Sequence, residues 1–478
     1  MTDPIVVAGG GPAGLTAALV LVRAGRVVTV VERDDTVGGL ARTVERNGFR
    51  FDLGGHRFFT RVSEIERLWE ELLGPDLLWR RRRSRILFHG KLFDYPLGAG
   101  SVLRGLGPVE SARILASYLR AKLRPIRPEA HLADWVENRF GRRLFEIFFR
   151  TYTEKVWGIP CERIGAEWAA QRIRGLSLRA AVADMIRRGS GGQRTLVTHF
   201  RYPRLGPGML WDRMREEVER GGGRILLGHR LTRVRLEAGR VSAVEVEGTK
   251  GRAALPAAHL VSTVPIGVLV AALSPSPAGE IAAAAAALRH RAFLVVALVL
   301  EGPDPFPDNW LYLHDASIRA GRVQNFRAWS PDLVPDPARS CLGMEYFCSE
   351  GDALWSSPDR RLVEIASEDL AALGLGAPPR VVEGHVVRVP DAYPVYDDGW
   401  ASRLESVRAA LAPIANLHLA GRGGMHRYNN MDHSMLTGLL AARNVLGGSH
   451  DLWSVNADED YLETDSAAVR RSTRSAAS

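Results

Sequence analysis

A glycine-rich turn near the start of the chain has the residue types and spacing that bind a diphosphate. Residues 9–14 read GGGPAG, a G-x-G-x-x-G pattern that follows the apolar run 5–8 and precedes a helix-forming run at 15–19. Glycines at these places let the backbone turn tightly and approach phosphate oxygens, and the N-terminus of the following helix supplies N–H donors to the anion. The motif therefore predicts a dinucleotide pyrophosphate site where a strand meets a helix.

A carboxylate follows the next predicted strand, at the position that usually binds the adenosine ribose. Residues 27–31 read VVTVV, and Glu32 comes directly after them. A carboxylate there accepts hydrogen bonds from the ribose hydroxyls and argues against a 2′-phosphate. This unit alone leaves FAD and NAD as alternatives. The cofactor-binding residues that it predicts are Gly9, Gly11, Pro12, Ala13, Gly14, Glu32 and Arg33.

Two further glycine pairs favour FAD over NAD. Residues 38–43 (GGLART) and 51–60 (FDLGGHRFFT) resemble the extended FAD signature of the amine oxidase and UDP-galactopyranose mutase superfamily, a continuation that NAD enzymes lack. A second glycine pair after the ribose carboxylate lets the backbone approach a long ligand such as FAD again. The resemblance implies that FAD is also held by Gly38, Gly39, Leu40, Arg42, Gly54, Gly55 and His56.

A third glycine-rich turn lies near the end of the chain. Residues 417–420 are predicted to form a strand, GRGG follows at 421–424, and a helix is predicted from Met431. The positive N-terminal end of a helix beside the flavin pyrimidine would stabilise the anion that forms when the flavin is reduced. The segment is similar to the closing FAD motif of the same superfamily. This similarity assigns Gly421, Arg422 and Met431 to the cofactor site, together with Val234 from the middle of the chain.

The most specific resemblance lies at residues 152–158 (YTEKVWG) and 171–173 (QRI), which are similar to the substrate segment of UDP-galactopyranose mutases. That family interconverts the pyranose and furanose forms of a sugar attached to a nucleotide diphosphate, with N5 of reduced FAD as the nucleophile and no net redox change. The resemblance implies a nucleotide-diphosphate sugar as the substrate here. The catalytic and substrate-binding residues that it implies are Arg172, Arg322, Trp157, His56, Tyr428, Asn430 and Tyr152.

The resemblance also implies a role for most of these side chains. Arg172 and Arg322 would hold the departing diphosphate, because a planar guanidinium matches phosphate oxygens. Tyr428 would lie near the same phosphates. Trp157 would form an apolar wall beside the sugar, and Tyr152 would stack on the nucleobase, with packing in the core as the alternative for both.

Two positions depart from the mutase pattern. Phe59 stands where many mutases carry a second histidine after the one that aligns with His56, and Asn430 stands where they tend to have aspartate. The departures leave open another nucleotide sugar or a chemistry that has moved toward oxidation. The rival interpretation is thus a net FAD-dependent oxidoreductase resembling protoporphyrinogen oxidase or amine oxidases, and a non-catalytic FAD-binding protein is a third.

Other motifs offer no flavin-free mechanism. The sequence has no Ser/His/Asp arrangement, H-E-x-x-H helix or carboxylate pair in a motif context, and no metal site is predicted. A second G-x-G-x-x-G is also missing. No dedicated nicotinamide domain is therefore predicted, so NADPH or NADH would dock transiently if it reduces the flavin.

Composition places the chain among ordinary globular proteins. It has 478 residues, 46% of them hydrophobic and 24% charged, which predicts two or three domains. The formal charge of +9 would suit nucleic acid, an acidic membrane surface or small anions, and no nucleic-acid motif accompanies it. Three features predict a cytoplasmic location. The three cysteines have no C-x-x-C spacing, the sequence opens on a core strand in place of a leader, and its apolar runs are too short to span a bilayer. The sequence leaves the oligomeric state open.

The predicted fold class is α/β, and the resemblance implies a discontinuous Rossmann-like FAD-binding domain with an α+β substrate domain. The arginine run at 80–85 is interpreted mainly as a solvated face ahead of a hairpin at 86–96, with an anionic ligand or membrane surface as the alternative. The predicted segments are FAD-binding at 1–60, 191–265 and 411–450, mainly helical substrate domain at 61–190, its antiparallel sheet at 266–410, and a C-terminal tail at 451–478.

Overall fold

The protein is a mixed α/β molecule, as the sequence predicts. The computed structural model describes residues 3–166, 199–377 and 379–456. Within these ranges, no helix is both long enough and apolar enough to cross a membrane. The strands in chain order are β1 (Ile5–Ala8), β2 (Val28–Val31), β3 (Thr43–Arg46), β4 (Phe49–Asp52), β5 (Leu77–Arg81), β6 (Ser84–Phe88), β7 (Lys91–Asp94), β8 (His199–Pro203), β9 (Arg224–Leu226), β10 (Arg230–Glu237), β11 (Arg240–Gly248), β12 (Gly251–Pro256), β13 (His259–Ser262), β14 (Leu273–Ser274), β15 (His290–Glu301), β16 (Trp310–Leu313), β17 (Arg322–Asn325), β18 (Arg339–Cys348), β19 (Val381–Pro394) and β20 (Leu417–Leu419).

The helices surround and connect these strands. The longest, α3, is interrupted at Gly107, whose φ of 83° is followed by Pro108. A π-helical turn at Glu146–Arg150 joins α5 to α6. The helices in chain order are α1 (Pro12–Arg23), α2 (Ser63–Leu73), α3 (Ala99–Leu123), α4 (Leu132–Phe140), α5 (Arg142–Phe145), α6 (Thr151–Trp157), α7 (Gly208–Arg220), α8 (Ile266–Ala272), α9 (Gly279–Ala286), α10 (Phe326–Trp329), α11 (Asp359–Ala372), α12 (Trp400–Leu411), α13 (Gly421–Gly424) and α14 (Met431–Val445).

A parallel sheet positions the glycine-rich turns. Over the described residues it has five strands in the order β20-β13-β1-β2-β9, drawn from widely separated parts of the chain. All four residues of β1 are buried, as is typical of a parallel strand covered on both faces. Helix α1 packs against α14 and α7 beside this sheet. The carboxyl ends of β1 and β2 lie side by side, which brings the turn at 9–14 next to Glu32.

A mainly antiparallel sheet forms the second layer, with β6 and β16 as its parallel pair among the described strands. Its strand order in the described part of the chain is β19-β15-β18-β17-β16-β6-β7. Strand β15 is apolar along nearly its whole length because both faces are covered. Leu294, Val296 and Leu298 join the core beneath α11, and the alternate residues Phe293 and Val295 join the core on the other face. The sheet therefore separates two cores, and its second face packs against β3, β4 and β8.

The arginine run at 80–85 is only partly solvated, so the predicted solvated face is corrected. The hairpin that follows is present as β6 and β7, and β6 pairs with β16 in the large sheet. The Arg82 guanidinium lies 5.5 Å from the centre of the Trp310 ring, and Arg85 forms a 2.6 Å ion pair with the buried Asp308. Arg81 and Arg83 are exposed, whereas the arginines at 80, 82 and 85 are half-buried.

Candidate active site

The candidate site is a cleft of about 710 Å³ between the carboxyl edge of the parallel sheet and the antiparallel sheet. Most of the predicted residues line it, although they come from the two ends and the middle of the chain. Those that line the cleft are Gly9, Gly11, Pro12, Ala13, Glu32, Arg33, Gly39, Leu40, Arg42, Gly54, Gly55, His56, Arg322, Gly421, Arg422, Tyr428, Asn430 and Met431.

Three residues predicted to bind the cofactor lie behind the cleft wall. A Cβ atom at Gly14 would stand 1.9 Å from the Gly9 carbonyl oxygen, so Gly14 permits close packing of helix on strand. Gly38 has a φ of 99°, and a Cβ there would meet the Trp211 ring at 2.7 Å. Val234 is fully buried in the core beside β14, so its side chain does not reach the cleft. These residues shape the site from behind.

Tyr152 and Trp157, the aromatic residues predicted to contact the substrate, pack beside the cleft and are not part of its lining. Tyr152 stacks on His314 with the ring centres 4.9 Å apart and meets Tyr312 edge-on, so neighbouring rings already cover it. Trp157 is 7% exposed and borders a separate cavity of about 540 Å³ that adjoins the cleft at Pro265. Arg172 lies outside the described residues.

The turn at 9–14 is a cradle that only small residues can form. Gly9 has a φ of 107°, and a Cβ there would lie 2.1 Å from Thr263 Oγ1. Gly11 and Gly39 face each other across the cleft entrance, and a Cβ at Gly39 would stand 3.2 Å from the Gly11 Cα. Among the described side chains, none caps α1, so its first N–H groups remain for an anion. The cradle fits the pyrophosphate of a dinucleotide.

Glu32 stands at the tip of β2 with its carboxylate oriented by the backbone. Its Oε2 accepts from the Gly10 N–H at 2.6 Å, and its Oε1 accepts from the Asp34 N–H at 2.9 Å. Burial raises the pKa of Glu32 above its usual value, against the lowering effect of these two hydrogen bonds. Each oxygen retains a lone pair, so the carboxylate can also accept from ribose hydroxyls in the cleft.

The closing segment completes the far wall of the cleft. Arg422 ties this wall together, because it donates to the Ala392 carbonyl at 3.0 Å and to the Asn429 carbonyl at 2.8 Å. Its guanidinium also lies 4.6 Å from the centre of the Tyr428 ring. Helix α14 begins next to this cluster, and within the described part of the chain no side chain caps its N-terminus. The helix end therefore offers N–H groups to an anionic ring.

An arginine and two tyrosines form a cluster in the lining of the cleft. The Arg322 guanidinium donates to the buried carboxylate of Glu345, which is its partner across β17 and β18, and lies 3.4 Å from the Tyr393 hydroxyl. The rings of Tyr393 and Tyr428 are nearly parallel at 5.8 Å. Burial opposes the charged form, yet Glu345 raises the pKa of Arg322 well above its usual value. The cleft thus has a fixed cation with one phenol hydroxyl 3.4 Å away, and a second tyrosine ring is stacked beside that phenol.

His56 is a neutral imidazole in this site. Desolvation of its ring, together with the positive charges of Arg422 and Arg322, lowers the pKa of His56 to about 3. At neutral pH the ring therefore lacks the acidic proton of an imidazolium, so it does not act as the acid that protonates a leaving group. Its remaining capacity is to accept or donate one hydrogen bond toward a bound ring.

Sequence reasoning missed several residues that line the cleft. Glu345 is the lone carboxylate in the mainly apolar strand β18, and such a residue is a recognisable signal for a buried partner. Burial and the neighbouring Arg82 lower the pKa of Arg57 to about 10. Trp310 and Tyr312 carry no motif, so only the structure reveals them. The lining residues that the motifs did not predict include Arg57, Trp310, Tyr312, Gln324 and Glu345.

The fold and the site together define a flavin-dependent enzyme. The sequence model of one family, described as flavin-containing amine oxidoreductase, matches residues 12–446. The chain belongs to this family, and its glycine cradle, the Glu32 carboxylate and the closing helix fit FAD.

Among individual proteins, the chain is similar both to oxidases and to a mutase. The chain is 28% identical over 450 residues to coproporphyrinogen III oxidase of Mycobacterium bovis, covering 87% of this chain and 93% of that protein. It superposes on the crystal structure of reduced UDP-galactopyranose mutase with a TM-score of 0.82 and 24% identity, covering 97% of this chain and 99% of that one. For putrescine oxidase bound to putrescine the TM-score is 0.62 with 17% identity, covering 94% of this chain and 100% of that one. The structural matches, at these identities, show the fold.

Proposed function

We propose that the chain acts on a nucleotide-diphosphate sugar and interconverts its pyranose and furanose forms with the help of reduced FAD. The observation that carries the proposal is the cluster of Arg322, Tyr393 and Tyr428 on the substrate side of the cleft. A diphosphate leaving group needs a fixed cation and hydroxyl donors, and this cluster supplies both. The likeness to the reduced mutase in overall fold supports the same assignment.

Arg322 is held in place for this task. Glu345 and Gln324 support it from beneath, since Gln324 Nε2 donates to Glu345 Oε1 at 2.6 Å and the other carboxylate oxygen accepts from Arg322. The ion pair keeps the guanidinium charged and its rotamer fixed. The cation then needs no reorganisation when charge develops on the departing phosphate.

The other lining residues orient the sugar and exclude water. Bound, reduced FAD supplies the nucleophile for the anomeric carbon. Trp310 and Tyr312 wall the cleft beside Arg322. His56 stays neutral and serves as a hydrogen-bonding partner, whereas Asn430, at the N-terminus of α14, can bind a sugar hydroxyl through its amide. Arg172 remains the proposed second phosphate ligand.

A net oxidoreductase is the second candidate. The coproporphyrinogen III oxidase of Mycobacterium bovis matches along most of the chain, and the substrate that its name gives carries carboxylates that Arg322 and Arg57 could bind as readily as phosphates. Phe59 and Asn430 also depart from the mutase pattern. In this second function oxidised FAD would accept a hydride from the substrate.

One experiment separates the two functions. The FAD-loaded protein, reduced anaerobically with dithionite or left oxidised, is incubated with a panel of nucleotide-diphosphate sugars, and pyranose and furanose forms are separated by anion-exchange chromatography. The proposal expects interconversion with the reduced protein alone. A parallel incubation of the oxidised protein with coproporphyrinogen III is followed by porphyrin fluorescence. Porphyrin formation without sugar interconversion would overturn the mutase assignment.

A matched pair of variants tests the diphosphate role of Arg322. Arg322→Ala should weaken UDP binding, measured by calorimetry, by about 10- to 100-fold, as expected for losing a hydrogen bond to a charged group. The control is Arg327→Ala, which removes a partly buried arginine paired with Asp304 at 3.4 Å outside the cleft lining. Equal loss in both variants would show that stability, not ligand contact, explains the effect.

A further inference from the structure

The second half of α3 presents apolar residues on two opposite faces. Ile114 is buried in a core that it shares with residues of α4 and α5, and Tyr118 is buried one turn further along α3. The outer face exposes Val109, Leu115, Leu119 and Leu123, which are 67%, 52%, 52% and 83% accessible. At 3.6 residues per turn, positions 115, 119 and 123 form one continuous stripe along the outside. We call residues 109, 112, 115, 116, 119 and 123 the outer stripe.

Basic residues border the outer stripe on both sides. By helical geometry, Arg113 and Arg120 project along one edge. Lys122 lies at the other edge, where its ammonium donates to the Asn138 carbonyl at 2.8 Å. Arg124 follows the helix as an exposed residue. Between positions 99 and 130 the chain has six arginines or lysines and two glutamates. One of these, Glu110, is already paired with Arg113 at 3.2 Å.

We infer that the outer stripe docks α3 on the anionic surface of a phospholipid bilayer. An interfacial helix with an apolar face and basic edges lies in the plane of the membrane, with its side chains at the level of the headgroups. From 109 to 123 the helix is about 22 Å long at 1.5 Å per residue, enough to lie along the surface with all four large apolar side chains facing it.

Charge complementarity favours a lipid surface over a second copy of the chain as the partner of the outer stripe. In a symmetric contact through the outer stripe, the basic edges of one copy would meet the same edges of the other. Like charges placed opposite each other in an interface are unfavourable, whereas phosphate headgroups complement them. The inference is independent of the reaction in the cleft and goes beyond the proposed function.

Vesicle flotation of the FAD-loaded full chain tests the inference. The protein should float with vesicles of phosphatidylcholine that contain phosphatidylglycerol, and should stay in solution with phosphatidylcholine alone. Arg120→Gln with Arg124→Gln should lower partitioning by roughly 25-fold, about fivefold for each charge removed. Leu119→Ser with Leu123→Ser should lower it by at least about tenfold, because binding scales with the apolar area inserted.

The controls change the same residue types elsewhere on the surface. Val27→Ser, at a side chain that is 49% exposed, combined with Arg360→Gln, at one that is 92% exposed, should leave partitioning unchanged. Light scattering of each variant reports the oligomeric state. The inference is overturned if anionic vesicles do not bind the protein, if neutral vesicles bind it equally, or if the leucine pair dissociates a dimer without changing vesicle binding.

Discussion

Gly438, in the middle of α14, lets this helix pack directly on the start of α1, and both helices begin at the cleft. A Cβ atom at this position would stand 2.0 Å from the Ala13 carbonyl oxygen at the start of α1. The obstacle is backbone, so no side-chain rotation relieves it. In Gly438→Ala, α14 has to retreat from α1 by about 1.4 Å to reach an ordinary contact of 3.4 Å.

The expected cost follows from this displacement. Overpacking a rigid contact destabilises by about 1–3 kcal/mol, and a backbone clash belongs at the upper end of that range. Alanine regains about 1 kcal/mol over glycine within a helix, so the net loss of unfolding free energy should be about 2 kcal/mol. FAD affinity should fall by at least about tenfold, because both helices present their N-termini to the cleft and hydrogen bonds weaken steeply with distance.

Urea unfolding and titration of the apoprotein with FAD measure the two effects. The control is Gly279→Ala at the start of α9, where a Cβ would meet no described atom within 4 Å. This control should be neutral or slightly stabilising. If Gly438→Ala unfolds within about 0.5 kcal/mol of the parent and binds FAD equally well, the helix contact is not rigid and the reasoning fails.

Two further predictions concern buried carboxylates. Glu32→Gln should weaken FAD binding by about tenfold or more, because a hydrogen bond to a charged acceptor is lost while the amide oxygen still accepts from Gly10; unchanged affinity in the same titration would contradict the ribose role. Asp52 accepts hydrogen bonds from Tyr202 and Thr43, and burial raises its pKa to about 7. The folded protein therefore keeps a proton that the unfolded chain releases above about pH 4, so stability falls as pH rises from about 4 to 7. The unfolding free energy of the parent minus that of Asp52→Asn should decrease across this window, and a flat difference would refute the assignment.

Local motifs revealed the cofactor half of the cleft. The turn at 9–14, Glu32 and the pair at 54–55 are short-range features whose residue types dictate strand, turn and helix without reference to the rest of the chain. The predicted α/β class is confirmed by the parallel and antiparallel sheets. The predicted domain boundaries and the individual site roles stay predictions.

Aromatic residues were harder to place from the sequence. Trp157 and Tyr152 lie in a helical segment that resembles a substrate segment, yet both pack against neighbouring aromatic rings. A residue pattern does not distinguish a ring that faces a ligand from one that faces another ring, because both environments favour the same side chain. The arginine run at 80–85 was also hard to place from the sequence. Its burial depends on which strand pairs with β6, and the sequence pattern does not specify that strand.

The sequence by itself determined where the chain turns closely enough to hold a dinucleotide, because the glycine turn and the carboxylate after the next strand are recognisable within the first 32 residues. Only the tertiary structure decided what faces that dinucleotide. Tyr312, Arg322 and Glu345 lie opposite one another across β16, β17 and β18, and this register joins residues that no motif connects. Register follows from which apolar faces the whole sheet buries, so it is a property of the assembled cores.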